Sequence, residues 1–177
     1  MLSAAGKTVA DLIDYDLRVL FCGINPSLYS AATGHHFARP GNRFWPTLQA
    51  AGFTDRLLHP SEERELLRRG YGITNVVERA TATADELSGE ELRAGGQALA
   101  AKVTLFRPAV LAVLGIVAYR TAFDQRQAVL GRQVERIADS IVWVLPNPSG
   151  LNAHYQLGAL ANMFQDLRVF SEVTGDK

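Results

Sequence analysis

The chain has 177 residues, 47% of them apolar and 20% charged, with 18 basic and 18 acidic side chains in balance. That length and mixture suit one globular domain with a sizeable core; no apolar run approaches the roughly 18 residues of a membrane span, and the even charge gives no global pull toward nucleic acid. The single cysteine, Cys22, excludes an internal disulfide and any four-cysteine zinc or iron–sulfur centre, and makes a reducing cytoplasm the natural compartment.

The first stretch, MLSAAGKTVADLIDYDL, carries acids and no sustained apolar core, unlike a secretory signal. Residues 1–16 are expected to form a loose arm. Leu17–Cys22 is a continuous apolar run ended by Gly23, the pattern of a strand buried on both faces. Asn25-Pro26-Ser27 then turns the chain, with Asn25 suited to cap a helix. Tyr29 to Arg43 reads as a long polar loop, and a loop of that length usually has a function. Asn42 is placed to cap a helix over Arg43–Ala51, ended by Gly52. A charged helix is expected over Ser61–Arg69, and a second strand over Tyr71–Val77.

Ser88-Gly-Glu-Glu91 is a capping box. Beyond it Leu92, Gly96, Leu99, Val103 and Phe106 recur at helical spacing, up to Arg107-Pro108. Ala109–Leu114 is a third buried strand and Ile116–Phe123 a short helix. Gln133–Ile137 alternates like an edge strand. Ile141–Leu145 is the fourth core strand, and an amphipathic helix is expected from Ala153 onward. Alternating strands and helices predict a three-layer α/β/α sandwich around a central, mostly parallel sheet of four to five strands. The domain should span residues 17–170, with 171–177 as a tail.

In such sheets ligands sit beyond the carboxyl ends of the strands. Two of those ends match: LFCGINPS and VWVLPNPS both run from a strand into Asn-Pro-Ser, roughly 120 residues apart. They suggest two walls of one site. No G-x-G-x-x-G, P-loop, G-x-S-x-G or H-E-x-x-H motif is present, so a nucleotide cofactor, a nucleophile elbow and a zincin site are not supported. His35-His36 is the only histidine cluster, and neighbours in an extended loop point apart, so it reads as solvated rather than metal-binding. No metal and no cofactor are expected.

Asn25 and Asn147 take up no proton at neutral pH, but an amide can orient water and donate to an anion. That suits a reaction limited by charge on a leaving group, such as hydrolysis of the N-glycosidic bond of a pyrimidine nucleotide. Asp85, near the start of the Ser88 helix, is the carboxylate candidate for a general base; its alternative role is capping.

FCGINP, GNRFW, AGFTDR, ELRAGG, LAVLG and WVLPNPSGL, in this order from about Leu17 to Phe170, resemble the uracil-DNA glycosylase superfamily. The similarity is to its mismatch-specific uracil-DNA glycosylase and thymine-DNA glycosylase branch. The lone cysteine argues against the branches that hold an iron–sulfur cluster. The resemblance implies a monofunctional enzyme that flips uracil out of G·U mismatches in double-stranded DNA and leaves an abasic site. It implies that Asn25 positions the water and that Asn147 stabilises the leaving base. Phe37 would stack on the flipped base, with Ile24, Ser27, Ser30 and Asn75 around it. Ser149, Gly150, Leu151 and Asn152 would form a wedge, Leu151 filling the gap in the duplex. Arg39 and Arg43 are the candidate contacts to the DNA backbone.

Ser27 stands where the mismatch-specific branch usually has Gly and uracil-specific relatives have Tyr, which implies uracil preferred over thymine. Asn75 resembles the thymine-DNA glycosylase branch, and Ala153 replaces an Arg that relatives often carry in the wedge. No lysine lies in either motif loop, which argues against a Schiff-base lyase step. A monomer working on DNA in the nucleoid is expected. Two other readings use the same residues: a hydrolase of free pyrimidine nucleosides, and a damaged-DNA binder without catalysis.

Overall fold

The computed structural model describes residue 4 and residues 6–174. Positions 1–3, 5 and 175–177, at the ends of the expected arm and tail, lie outside the described residues. Five strands form one sheet: β1 (Val19–Gly23), β2 (Tyr71–Asn75), β3 (Val110–Leu114), β4 (Gly131–Arg132) and β5 (Ile141–Leu145). Their order is β2-β1-β3-β5-β4, parallel throughout except for the antiparallel edge β4. Helices α1 (Leu28–Thr33), α2 (Phe44–Ala50), α3 (Glu65–Arg68), α4 (Gly89–Phe106), α5 (Ile116–Ala122) and α6 (Leu157–Thr174) connect and cover it.

Every residue of β1 and β3 is buried, which is why both read as unbroken apolar runs rather than alternating ones. Successive side chains still point to opposite faces. Val19 and Phe21 join Val110 and Ala112 in a core with Phe44, Leu48, Phe164 and Leu167 from α2 and α6. Leu20 and Cys22 join Leu111 and Val113 in a second core with Leu99, Val103 and Tyr119 from α4 and α5. The three-layer sandwich expected from the alternation of elements is the one observed. Register aligns the strand ends: Gly23 lies beside Asn75, and Leu114 beside Leu145.

The arm is not loose where it is described. Leu12 bridges Ile73 through two backbone hydrogen bonds of 2.9 and 2.8 Å. Asp11 accepts from Thr74 Oγ1 at 2.8 Å and pairs with Lys102 of α4. A Cβ on Gly72 would lie 2.4 Å from the Leu12 carbonyl, so the crossing requires glycine there. The arm lacks an apolar period because it is held by backbone and polar contacts, with only Val9 and Leu12 buried in it between residues 7 and 16. At the other end α6 continues through Thr174, with Ser171 buried, so residues 171–174 are helix rather than tail.

Four local expectations are corrected. The loop expected from Tyr29 begins as helix: Ser27, not Asn25, caps α1, its Oγ accepting from Ser30 N–H at 3.0 Å, and Gly34 ends it at φ 77°. The charged helix over 61–69 splits into a 3-10 turn, Pro60–Glu62, and the single turn α3, because His59 caps the first segment separately. The edge strand lies earlier than 133–137: β4 is Gly131–Arg132, and Gln133 N–H still reaches Val142 O at 2.8 Å. Val134 is 94% exposed, and of the alternating positions only Ile137 packs against the core. The last helix starts at Leu157, four residues after Ala153.

Candidate functional site

The loops after β1, β2 and β5 converge on one cavity of about 100 Å³. That is below the roughly 300–1,000 Å³ of a drug-sized ligand site and suits one flat ring. Ile24, Asn25, Ser27, Ser30, Phe37, Arg39, Asn75, Asn147, Ser149 and Leu151 all line it. Two distant Asn-Pro-Ser loops therefore do face each other.

The floor is Gly23, the last residue of β1. A Cβ there would lie 2.6 Å from Asn75 Oδ1 and 3.2 Å from the Phe37 ring, so only glycine lets both side chains close over the strand end. Phe37 holds a left-handed backbone, φ 52°, uncommon for a large side chain. Its ring stacks on Phe44, centroids 4.0 Å apart at 27°, and it lines the cavity. Ser30 is buried and ties the segment down: its Oγ accepts from Ala38 N–H at 3.1 Å. Ser27 Oγ is turned toward Ser30, 3.2 Å from its hydroxyl.

Asn25 is oriented without ambiguity. Its Nδ2 donates to Arg79 O at 2.9 Å and to Thr81 Oγ1 at 2.8 Å. The Arg79 carbonyl can only accept, so the nitrogen must lie on that side. Thr81 spends its own proton on Thr83 O at 2.7 Å, which leaves its oxygen to accept. Oδ1 is the amide atom left to receive a proton donor in the cavity, and a water is such a donor. Asn147 is oriented the opposite way. Its Oδ1 accepts from Ser149 N–H at 2.9 Å, which leaves Nδ2 as a donor. One wall thus offers an acceptor and the other a donor.

None of the residues lining the cavity is a carboxylate. Asp85 lies in a 3-10 turn, Ala84–Glu86, on the rim. Its side chain is fully exposed, and the Thr83 side chain, then its own backbone N–H, hold its carboxyl below the usual range. The structure places Asp85 as a turn residue, not over the cavity. Arg79 forks onto Glu91 with two bonds of 3.0 Å.

The loop expected to act as a wedge is tied together by its own hydrogen bonds. Asn152 Nδ2 donates to Asn147 O at 3.0 Å, and Leu151 N–H to Ser149 Oγ at 3.2 Å. Leu151 stands at its tip, 62% exposed. Gly150 lies in an adjoining recess with Leu151 and Arg39. The two arginines differ. Arg39 is exposed and is in none of the ion pairs among the described residues. Arg43 is turned inward onto the carbonyls of Ser149, Asn152 and Tyr155. It is therefore not placed for a phosphate, because its fork is already filled.

His36 is another correction. It is buried, with Nε2 2.8 Å from Ala10 O; a carbonyl only accepts, so that nitrogen carries the proton. Burial holds its pKa below the ordinary value, against the opposing pull of Ala10 O and Glu63. It lines the back of the cavity. Thr81 and Gly23 also line the cavity. Gly23 was legible only as a strand end, and nothing in ATATADELS marks Thr81, whose role depends on lying beside Ser27 in space. Among the described residues no group of three His, Cys, Asp or Glu could hold a metal ion, and no helix could cross a membrane.

A family model described as the uracil DNA glycosylase superfamily matches residues 10–168. A protein of Methanosarcina acetivorans with a provisional uracil DNA glycosylase assignment has a solution NMR structure that superposes with a TM-score of 0.62 at 17% identity, over 92% of this chain and 98% of that one. At that identity the likeness concerns the fold.

Proposed function

The chain belongs to the uracil DNA glycosylase superfamily, hydrolases of N-glycosyl bonds in DNA, and from that premise we propose that it excises uracil from G·U mismatches in double-stranded DNA. The observation that carries the proposal is the opposed pair of amides, Asn25 presenting Oδ1 and Asn147 presenting Nδ2, in a cavity lined by no carboxylate.

The chemistry follows from that pair. The C1′–N1 bond breaks and its electron pair leaves with the base. Negative charge then gathers on the base's carbonyl oxygens, where Asn147 Nδ2 donates a hydrogen bond. The sugar becomes oxocarbenium-like and is met by a water held through its proton on Asn25 Oδ1. The water's oxygen bonds C1′, and its proton passes to solvent or to the departing base. No group need be deprotonated in advance.

Recognition uses the same walls. Phe37, backed by Phe44, offers a face on which a flipped pyrimidine stacks. Asn75 faces the ring edge. Ser27 is small and drawn toward Ser30, which leaves no bulky wall against a 5-methyl group; uracil is the preferred base and thymine a weak one. Unstacking costs roughly a few kcal/mol and costs least at a mismatch. Leu151, exposed at the loop tip, is suited to fill the vacated step. That exposure favours duplex DNA over a free nucleoside, which would leave the side chain without a use. Arg39, at the junction of the cavity and the wedge recess, is the phosphate contact.

The test is an oligonucleotide duplex with a single G·U pair. An alkali-labile break at the uracil, with none in a G·C control and none before alkali, is the expected result. Tight mismatch binding with no base release under single turnover would mean a binder instead.

A further inference from the structure

We propose that Arg43 is a positioning residue that presents the wedge: it latches the loop carrying Leu151. The inference deepens the glycosylase reading and rests on it for its consequences on DNA.

One guanidinium is filled from this loop. Nη1 donates to Tyr155 O, and Nη2 donates to Ser149 O at 2.8 Å and Asn152 O at 2.9 Å. The main-chain N–H of the same residue donates to Pro148 O at 2.9 Å. Carbonyls at both ends and in the middle of the loop therefore converge on a single residue. Nε is buried without a partner, and no carboxylate pairs with Arg43 among the described residues. An unpaired cation in a partly buried place is costly. Here only carbonyl dipoles offset it, so the loop's conformation and the charge depend on each other.

Two further facts tie this to the wedge. A Cβ on Gly150 would lie 2.6 Å from Gly41 O, so the two loops meet backbone to backbone just before Arg43. Residues 149–153 read Ser-Gly-Leu-Asn-Ala and carry no charge. The tip cannot grip phosphates by charge; it must enter the duplex already shaped. A planar fork can serve three carbonyls at fixed angles, whereas a lysine offers one nitrogen.

Two measurements on Arg43→Met and Arg43→Lys test this. The first needs no DNA. Hydrogen exchange of the Leu151, Asn152 and His154 amides, all bonded within the loop, should be at least about tenfold faster in Arg43→Met, with β1 and β3 unchanged and Arg43→Lys intermediate. Unchanged loop exchange overturns the proposal, and so does equal acceleration in the strands, which would mean plain destabilisation.

The second is single-turnover excision. Arg43→Met should lose at least about tenfold on a G·U duplex but under about threefold on uracil in an unpaired bubble, where no wedge is needed. Combined with Leu151→Ala, it should fall no more than about twofold below the slower single variant, since both remove one function. Equal losses on both substrates, or fully additive losses, overturn it. If the wild type releases no uracil at all, the glycosylase reading fails, and the exchange result alone decides the role of Arg43.

Discussion

Thr81→Val separates a site that positions water from one that activates it. The Thr81 hydroxyl accepts from Asn25 Nδ2 at 2.8 Å and does nothing else toward the cavity. Valine keeps the shape and removes the acceptor. Asn25 then keeps only the bond to Arg79 O, and its amide is held by one anchor instead of two. A hydrogen bond of this kind is worth roughly 0.5–1.5 kcal/mol net, so the population of the productive orientation should fall about 2- to 13-fold. Asn25→Ala removes the oxygen itself and should cost on the order of 10²–10³-fold, the scale of one preorganised polar group. Thr81→Ser restores the acceptor and should recover most of the rate. The assay is single-turnover release of uracil from a G·U duplex at saturating enzyme, so that DNA affinity does not enter. If Thr81→Val were as slow as Asn25→Ala, or Thr81→Ser no better than Thr81→Val, the hydroxyl would not act through the amide. If Asn25→Ala kept full rate, the assignment of the water would be wrong.

Three other outcomes are expected. Arg39→Ala should weaken DNA binding equally for matched and mismatched duplexes and lower the slope of log K against log salt by about 0.9, the release of one counterion's worth of contact; an unchanged slope would remove Arg39 from the phosphate contacts. Asp85→Asn should slow excision by less than about threefold, since a general base would be worth roughly 10²–10⁴-fold; collapse of the rate would move the base to Asp85. Stability should fall as pH drops below about 6.5, the ordinary histidine value, because burial holds the folded His36 below it and the unfolded chain takes up the proton first. Above that value the group should contribute no slope. Urea midpoints from pH 8 to 5.5 should decline less in His36→Gln than in the wild type, and parallel curves would show that His36 does not report on folding.

The sheet was legible because burial on both faces leaves a plain mark: VLFCG and VLAVL have no polar position to spare. The capping box at Ser88 likewise announced α4, and both halves of it form. The paired Asn-Pro-Ser loops were legible as a site because strand ends gather at one edge of a parallel sheet. What was not legible was orientation. Both amides look alike in sequence, yet one shows its oxygen and the other its nitrogen, because Arg79 and Thr81 come from a loop 54 to 56 residues away. Arg43 read in sequence as a candidate contact to the DNA backbone beside a polar loop. Only the fold shows its fork filled by carbonyls more than 100 residues further on. The arm was missed for a related reason. Its anchors, Asp11 to Thr74 and Lys102, are polar and distant, and no periodicity records them.

Orientation set from a distance also bears on the chemistry. A cavity without a carboxylate has no strong base to compensate for poor geometry, so its rate depends on how narrowly two neutral amides are held. Neutral amides can be turned over at small cost unless every alternative leaves a partner unsatisfied. Here the alternatives are closed from outside the cavity. A carbonyl that can only accept fixes Asn25. A backbone N–H two residues on fixes Asn147. A glycine lets Phe37 and Asn75 close together over the strand end. On the proposed reading, the groups that would touch the base are few and nearly inert alone, and discrimination would fall to Thr81, Gly23 and Ser30 behind them. It follows that substitutions in this second rank should change rate and base selectivity while leaving the cavity's composition untouched, and that a substrate series run on Thr81→Val should show a larger loss for thymine than for uracil, since the slower excision tolerates misplacement of the water least.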